Sequence, residues 1–316
     1  MQRILVGLDG SALAESILPT VTMLASRLGA EIVLLHVTQV PGTVQATDRG
    51  PAVDEVVAQQ QRAARAYLDE VAQRVPDPSH GVRTELVVGE AGPEIVGSAE
   101  RVHADLIALA THGRSGIGRW LHGSVAEAVL HATTTPLLLL RPAVTRPAAP
   151  LGVQRLVVPL DGSPLAEMGL PVAEELACTL GVPIVLLRVV EMVGLAFASD
   201  PLSGTFVDDQ AVLEVLRDGA RAYLDGLADR IKQRSAGVAV KIEVVIGSAA
   251  ESITARADEE AGSLLVLTTH GRTGWRAMFL GSVARRVALQ AGMPVVVVPP
   301  PEARAHDGSI RGAATR

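Results

Sequence analysis

The chain is one pattern written twice, and this limits the fold more than any other feature. Arg3-Ile-Leu-Val-Gly-Leu-Asp-Gly-Ser11 returns as Arg155-Leu-Val-Val-Pro-Leu-Asp-Gly-Ser163, with Asp9 and Asp161 152 residues apart. Ile32-Val-Leu-Leu-His-Val37 returns as Ile184-Val-Leu-Leu-Arg-Val189 at the same offset. Ala66-Tyr-Leu-Asp69 returns as Ala222-Tyr-Leu-Asp225, now 156 apart, and Gly113 and Gly271 lie 158 apart. An offset that grows by small insertions marks a duplicated domain. Copies of roughly 150 residues suit two independent domains better than a solenoid of short repeats. We place domain one at 1–142, a linker at 143–153, domain two at 154–300 and a disordered tail at 301–316. Pro142 to Pro150 is Pro- and Ala-rich without periodicity, and the residues after Pro301 lack an apolar pattern.

Each half alternates short apolar runs with helical periodicity. Strands are expected near 3–8, 31–37, 83–88, 105–110 and 136–141, and helices near 13–28, 54–75, 92–102 and 124–132. The second half repeats this, with strands near 155–160, 183–189, 240–246, 263–268 and 294–298. Its helices are expected near 165–180, 208–231, 249–257 and 282–290. The runs show little alternation, so both faces of the sheet should be covered. Strands alternating with helices imply right-handed crossovers and a parallel sheet, an α/β class. Residues 38–53 and 190–207 are rich in Gly, Pro, Thr and Ser and read as mobile loops at the ligand edge. Leu137 to Leu140 and Val295 to Val298 are uncharged; exposed edges of that kind invite association, so each is expected to pair with the other in an intramolecular pseudo-dimer.

The chemistry-bearing stretch runs from Thr111 to Ala126, with a second copy from Thr269 to Ala284. Each copy follows an apolar run, Leu106 to Leu109 or Leu264 to Leu267, and leads into a helical segment. Strand, glycine loop and helix is the order that holds a phosphate, because small residues admit the backbone and the first helical N–H groups face the anion.

Here the chain resembles the universal stress protein family in its tandem two-domain form, up to about Pro300. Nucleotide-binding members carry Gly-x2-Gly-x9-Gly-Ser/Thr after the fourth strand. Gly113 with Gly123-Ser124, and Gly271 with Gly281-Ser282, match its second part; Ala110 and Thr268 stand where the first glycine would be. The resemblance implies two Rossmann-like, adenine nucleotide α-hydrolase-like domains, each a five-stranded parallel sheet of order 3-2-1-4-5 flanked by helices. It further implies ATP, with or without magnesium, its adenine near the ends of strands one and two. Carried over by position, the site residues are Gly7, Asp9, Val37, Leu109, Ala110, His112, Gly113, Gly123, Ser124 and Val125. In the second half they are Pro159, Asp161, Val189, Leu267, Thr268, His270, Gly271, Gly281, Ser282 and Val283.

Each has a plainer reading beside the functional one. Asp9 and Asp161 suit a ribose hydroxyl or the adenine amino group, and equally an Asx turn before the next helix. Ser124 suits a phosphate or a helix cap completed by Glu127. His112 and His270 suit a phosphate or the backbone. Arg114, Arg119, Arg272 and Arg276 read as solvated surface, and Trp120 and Trp275 as loop packing. Cys178, the single cysteine, reads as a small buried helix residue.

Several classes are excluded. Lysine occurs only at Lys232 and Lys241, neither in a Gly-Lys-Ser/Thr loop, so the chain is no ordinary P-loop NTPase. Aromatics are 2% and the formal charge is −6, which removes stacking platforms and a basic stripe for nucleic acid. No metal site is expected, since His122 is Leu280 in the second copy. No leader or membrane span is read, and a lone cysteine suits a reducing, cytoplasmic setting. The expected function is an ATP-binding, nucleotide-sensing module of the stress response that acts through protein partners, not an enzyme, and as a single chain or a homodimer. Slow hydrolysis remains compatible with it. The alternatives are a nucleotide-free interaction module, or a weak ATP hydrolase or adenylyl-transfer enzyme on the same fold.

Overall fold

Runs of apolar residues without polar alternation need cover on both faces, and the central strands of this chain have it. The computed structural model describes residues 1–39, 51–76, 80–111, 124–141, 152–191, 209–268 and 281–300. Two compact units divide them, one within Met1–Val144 and one within Thr145–Pro300. Of the expected linker at 143–153, residues 143–151 lie outside the described residues, as does the tail at 301–316.

In the first unit the strands are β1 (Arg3–Leu8), β2 (Glu31–Thr38), β3 (Val82–Val88), β4 (Leu106–Ala110) and β5 (Leu137–Leu140). The helices are α1 (Ala12–Glu15), α2 (Leu18–Leu28), α3 (Pro51–Arg74), α4 (Ala91–Arg101) and α5 (Ser124–Ala132). All pairings are parallel: β1 lies between β2 and β4, with β3 beyond β2 and β5 beyond β4. The second unit has strands β6 (Arg155–Pro159), β7 (Ile184–Val190), β8 (Val240–Ile246), β9 (Ser263–Thr268) and β10 (Val295–Val298). Its helices are α6 (Pro164–Glu167), α7 (Leu170–Leu180), α8 (Asp209–Arg234), α9 (Ala249–Asp258) and α10 (Ser282–Gln290). There β6 lies between β7 and β9, with β8 and β10 outermost in the unit's parallel pairings.

Ile4 to Val6, Ile32 to Leu35 and Leu106 to Ala108 are all fully buried, at successive positions. Each large side chain there contributes about 1.5–3 kcal/mol of apolar burial. β3 is different: only intermediate and exposed residues occupy it, as befits a strand with a parallel neighbour on one side in its unit.

Three expectations are corrected. The single helices near 13–28 and 165–180 are each broken in two. Pro19 and Pro171 sit in the first two positions of α2 and α7. A proline there has no N–H to give, and its ring crowds the carbonyl four residues back, at Glu15 and Glu167, so the chain stops and restarts. The loop after strand two is shorter than read: β2 runs to Thr38, and α3 starts at Pro51, a residue suited to a first helical turn. Residues 40–50 and 192–208 lie outside the described residues. Cys178 is exposed, not buried. It shares a helix face with exposed Pro171 and Glu175, while Leu170, Ala173, Glu174, Leu176 and Ala177 form the buried face of α7.

Candidate functional site

The carboxyl ends of β1, β2 and β4 meet where the strand order reverses. Register places Val6 between Leu34 and Ala108, and Leu8 beside His36. A crevice outside such strand ends is where sheets of this kind take ligands.

Asp9 follows directly. Its Oδ1 accepts the Ser11 N–H at 2.9 Å, and Ser11 Oγ accepts the Ala14 N–H at 3.1 Å to cap α1. Asp161 repeats this: its Oδ1 accepts both the N–H (2.9 Å) and the hydroxyl (2.6 Å) of Ser163, which caps α6 through Ala166 N–H. The Asx-turn reading therefore holds for both aspartates, and a second use of either carboxylate is additional to it. The turn needs Gly10 and Gly162, whose φ values of 84° and 80° lie in the region that side chains disfavour.

Gly7 has a packing role. A Cβ there would lie 2.5 Å from Leu109 Cδ2, so its lack of a side chain makes room for β4. Leu109 and Leu267 are buried at 5% exposure, and any ligand contact from them comes from their backbone. Pro159 ends β6. Ala110 ends β4 and is partly exposed. Thr268 is buried, its methyl 3.5 Å from the point where a Cβ on Gly169 would stand. Thus the extra bulk of threonine fits between β9 and the start of α7.

Ser124 is the first residue of α5. In the second unit the cap is Gly281, with no side-chain hydrogen bond to the first turn of α10. Ser282 and Val283 follow, both exposed, as is Val125 in α5. Glycine at the cap brings no side-chain acceptor of its own to the first α10 amides, and a helix start of this kind favours an anion. Glu127 in the first turn of α5 corresponds to Arg285 in α10. His112, Gly113, Gly123, His270 and Gly271 lie outside the described residues, as do Arg114, Arg119, Trp120, His122, Arg272, Trp275, Arg276 and Leu280.

Beside Val37 is an open cleft of about 520 Å³, lined by Gly10, His36, Thr38 and Gln39 at the strand ends and by Gln60, Ala63, Ala64 and Tyr67 on α3. Sequence reasoning found Val37 here and missed the rest. The repeated Ala-Tyr-Leu-Asp was seen as a repeat, but nothing in it says that Tyr67 faces β2. The His36 and Tyr67 rings meet edge to face, 5.7 Å between centroids at 67°. His36 Nδ1 and the Tyr67 hydroxyl are buried and have no hydrogen-bond partner of good geometry among the described residues. The Thr111 hydroxyl, at the end of β4, is in the same condition. Buried polar atoms in want of partners are costly unless something else bonds them.

Burial raises the Tyr67 phenol well above its ordinary value, helped by the Glu15 carboxylate and opposed by the Gly10 N–H. Burial also lowers the His36 imidazole below its ordinary 6.5, against the pull of the Leu8 carbonyl and the Asp9 carboxylate. The unfolded chain then takes up a proton that the folded chain resists. The contribution to stability is full above about pH 6.5 and shrinks as pH falls through that value toward the lowered one. His36→Gln is expected to flatten this part of the stability profile, read by thermal unfolding from about pH 5 to 8. An unchanged slope would assign it to another group.

The profile of the Universal stress protein family matches residues 1–141 and again 152–299. A universal stress protein of Mycolicibacterium smegmatis is 28% identical over 302 residues, covering 94% of this chain and 97% of the relative. One from Mycobacterium tuberculosis is 26% identical over 320 residues, covering 95% of each. The crystal structure of a universal stress protein from Archaeoglobus fulgidus aligns with a TM-score of 0.63 at 21% identity, over 94% of this chain and 98% of that one.

Proposed function

The chain belongs to the universal stress protein family, and from that premise we propose that it binds ATP at the carboxyl edge of its sheet and acts as a nucleotide-sensing module in the stress response, through protein partners. The observation that carries this reading is the cleft of about 520 Å³ bordered by His36 and Tyr67, whose buried Nδ1 and hydroxyl want partners. Its size falls within the usual range for small-ligand pockets, about 300–1,000 Å³. Polar atoms of a base or ribose would supply what those two groups lack.

In this reading the Val37 main chain and the cleft walls hold the base, and Asp9 takes a ribose hydroxyl beside its turn. Ala110, Ser124 and Val125 border the phosphates with His112, Gly113 and Gly123. In the second half Asp161, Val189, Thr268, His270, Gly271, Gly281, Ser282 and Val283 stand at the same places. Main-chain amides at a helix start bind a phosphate tail without a lysine. The proposed role is binding, not turnover, and the proposed setting is the cytoplasm, where an exposed Cys178 stays reduced. Among the described residues no helix is long and apolar enough to cross a membrane.

Mass spectrometry of small molecules released from heat-denatured, purified protein is expected to find ATP. Titration calorimetry of the emptied protein is expected to register heat with ATP. Protein that copurifies empty and gives no heat with ATP, ADP or AMP would favour the nucleotide-free interaction module instead.

A further inference from the structure

The two copies differ at the corner that matters most for a base. In the first half the cleft opens between Gly10 after β1, His36 on β2 and Tyr67 on α3. The repeat puts Gly162, Arg188 and Tyr223 at those places. Arg188 Cζ stands 5.9 Å from the centroid of the Tyr223 ring. Its Nη1 donates to the Leu160 carbonyl at 3.3 Å, and lies 2.9 Å from where a Cβ on Gly162 would be. The guanidinium thus reaches from the end of β7 to the turn after β6, across the space that is open in the first half.

The Tyr223 hydroxyl of this corner is also bonded within the half. Tyr223 donates its hydroxyl hydrogen to Glu167 Oε1 at 3.0 Å, and Arg230 Nη2 holds Glu167 Oε2 at 2.9 Å. Tyr67, the counterpart, lies beside the Glu15 carboxylate and the Gly10 N–H without a hydrogen bond of good geometry to either, while Arg74 Nη2 holds Glu15 Oε2 at 2.8 Å. One corner is open, and the other is crossed by a guanidinium whose Nη1, like the neighbouring Tyr223 hydroxyl, is hydrogen-bonded.

Resting on the nucleotide reading above, we propose that the chain binds one ATP, in its first half, because Arg188 occupies the base site of the second. A base entering the second half must first displace a guanidinium held over an aromatic face and hydrogen-bonded to a carbonyl. That displacement is expected to weaken binding roughly 10- to 100-fold relative to an open corner.

The test is native mass spectrometry of the full chain with ATP, with circular dichroism and thermal unfolding to show that each variant folds. Wild type is expected to hold one ATP. Arg188→Ala and Arg188→His are each expected to hold two; the second variant installs a side chain that the first half already accommodates. His36→Arg, which copies the plug into the first half, is expected to hold none. Two ATP on the wild type would overturn the inference and leave the nucleotide reading standing. One ATP on both folded Arg188 variants, or one persisting on His36→Arg, would also overturn it. A wild type that holds none contradicts the nucleotide reading itself, and the inference falls with it.

Discussion

Ala63→Trp is expected to weaken ATP binding by about 100-fold or more, close to 2.8 kcal/mol. Ala63 is exposed on α3 and forms part of the cleft wall. An indole placed there stands in the volume that the base would use, and the backbone of α3 need not move to admit it. The helix itself should lose little, because the position is exposed and tryptophan is only moderately worse than alanine in a helix. Ala66→Trp is the matched control. It puts the same ring on an exposed position of the same helix that does not line the cleft. Calorimetry on both should separate them: affinity lost in the first, kept in the second, with unfolding temperatures close to wild type. Equal affinities in the two variants would place the nucleotide somewhere other than this cleft.

The second large effect is on stability. Arg155→Ala is expected to destabilise the second unit by about 3 kcal/mol. Arg155 begins β6 and is 5% exposed. Its Nε donates to Ser263 Oγ at 2.9 Å and its Nη2 to the Arg256 carbonyl at 2.8 Å, while Nη1 pairs with Glu260 at 2.9 Å. Truncation removes the partner of a partly buried carbonyl and empties the space of the aliphatic stem. The Glu260 pair adds little, since that carboxylate is largely in water. Arg3, at the same place in the repeat, keeps a side chain about one-third exposed beside Glu31 and the Val102 carbonyl. Arg3→Ala should therefore cost less, about 1 kcal/mol. With two units, scanning calorimetry is the suitable readout. For units of this size about 3 kcal/mol moves a transition by roughly 6–12 °C. The transition assigned to the second unit should move and the other should not. Equal shifts for Arg3→Ala and Arg155→Ala would show that the extra burial of Arg155 has no energetic weight.

Much of the architecture was legible because it depends on neighbours along the chain. The run Ile32 to Leu35 lacks polar alternation, and it is buried on both faces. Asp9-Gly10-Ser11 reads as turn chemistry, and it makes that turn. The breaks at Pro19 and Pro171 were legible too, and were passed over because the apolar periodicity runs on through them.

What the sequence by itself determined is the duplication, the alternation of strand and helix in each copy, and the turns that follow β1 and β6. Those features come from contacts within a few residues, where backbone geometry and side-chain periodicity decide. Only the tertiary structure decided which corner is open. Residue 36 is histidine and residue 188 is arginine in otherwise matching runs, and either would sit comfortably at the end of its strand. The difference arises because Tyr67 and Tyr223 come in from helices far along the chain, and because Gly162 leaves room for a guanidinium to cross. A cleft is the space left between distant segments, and no local pattern records it.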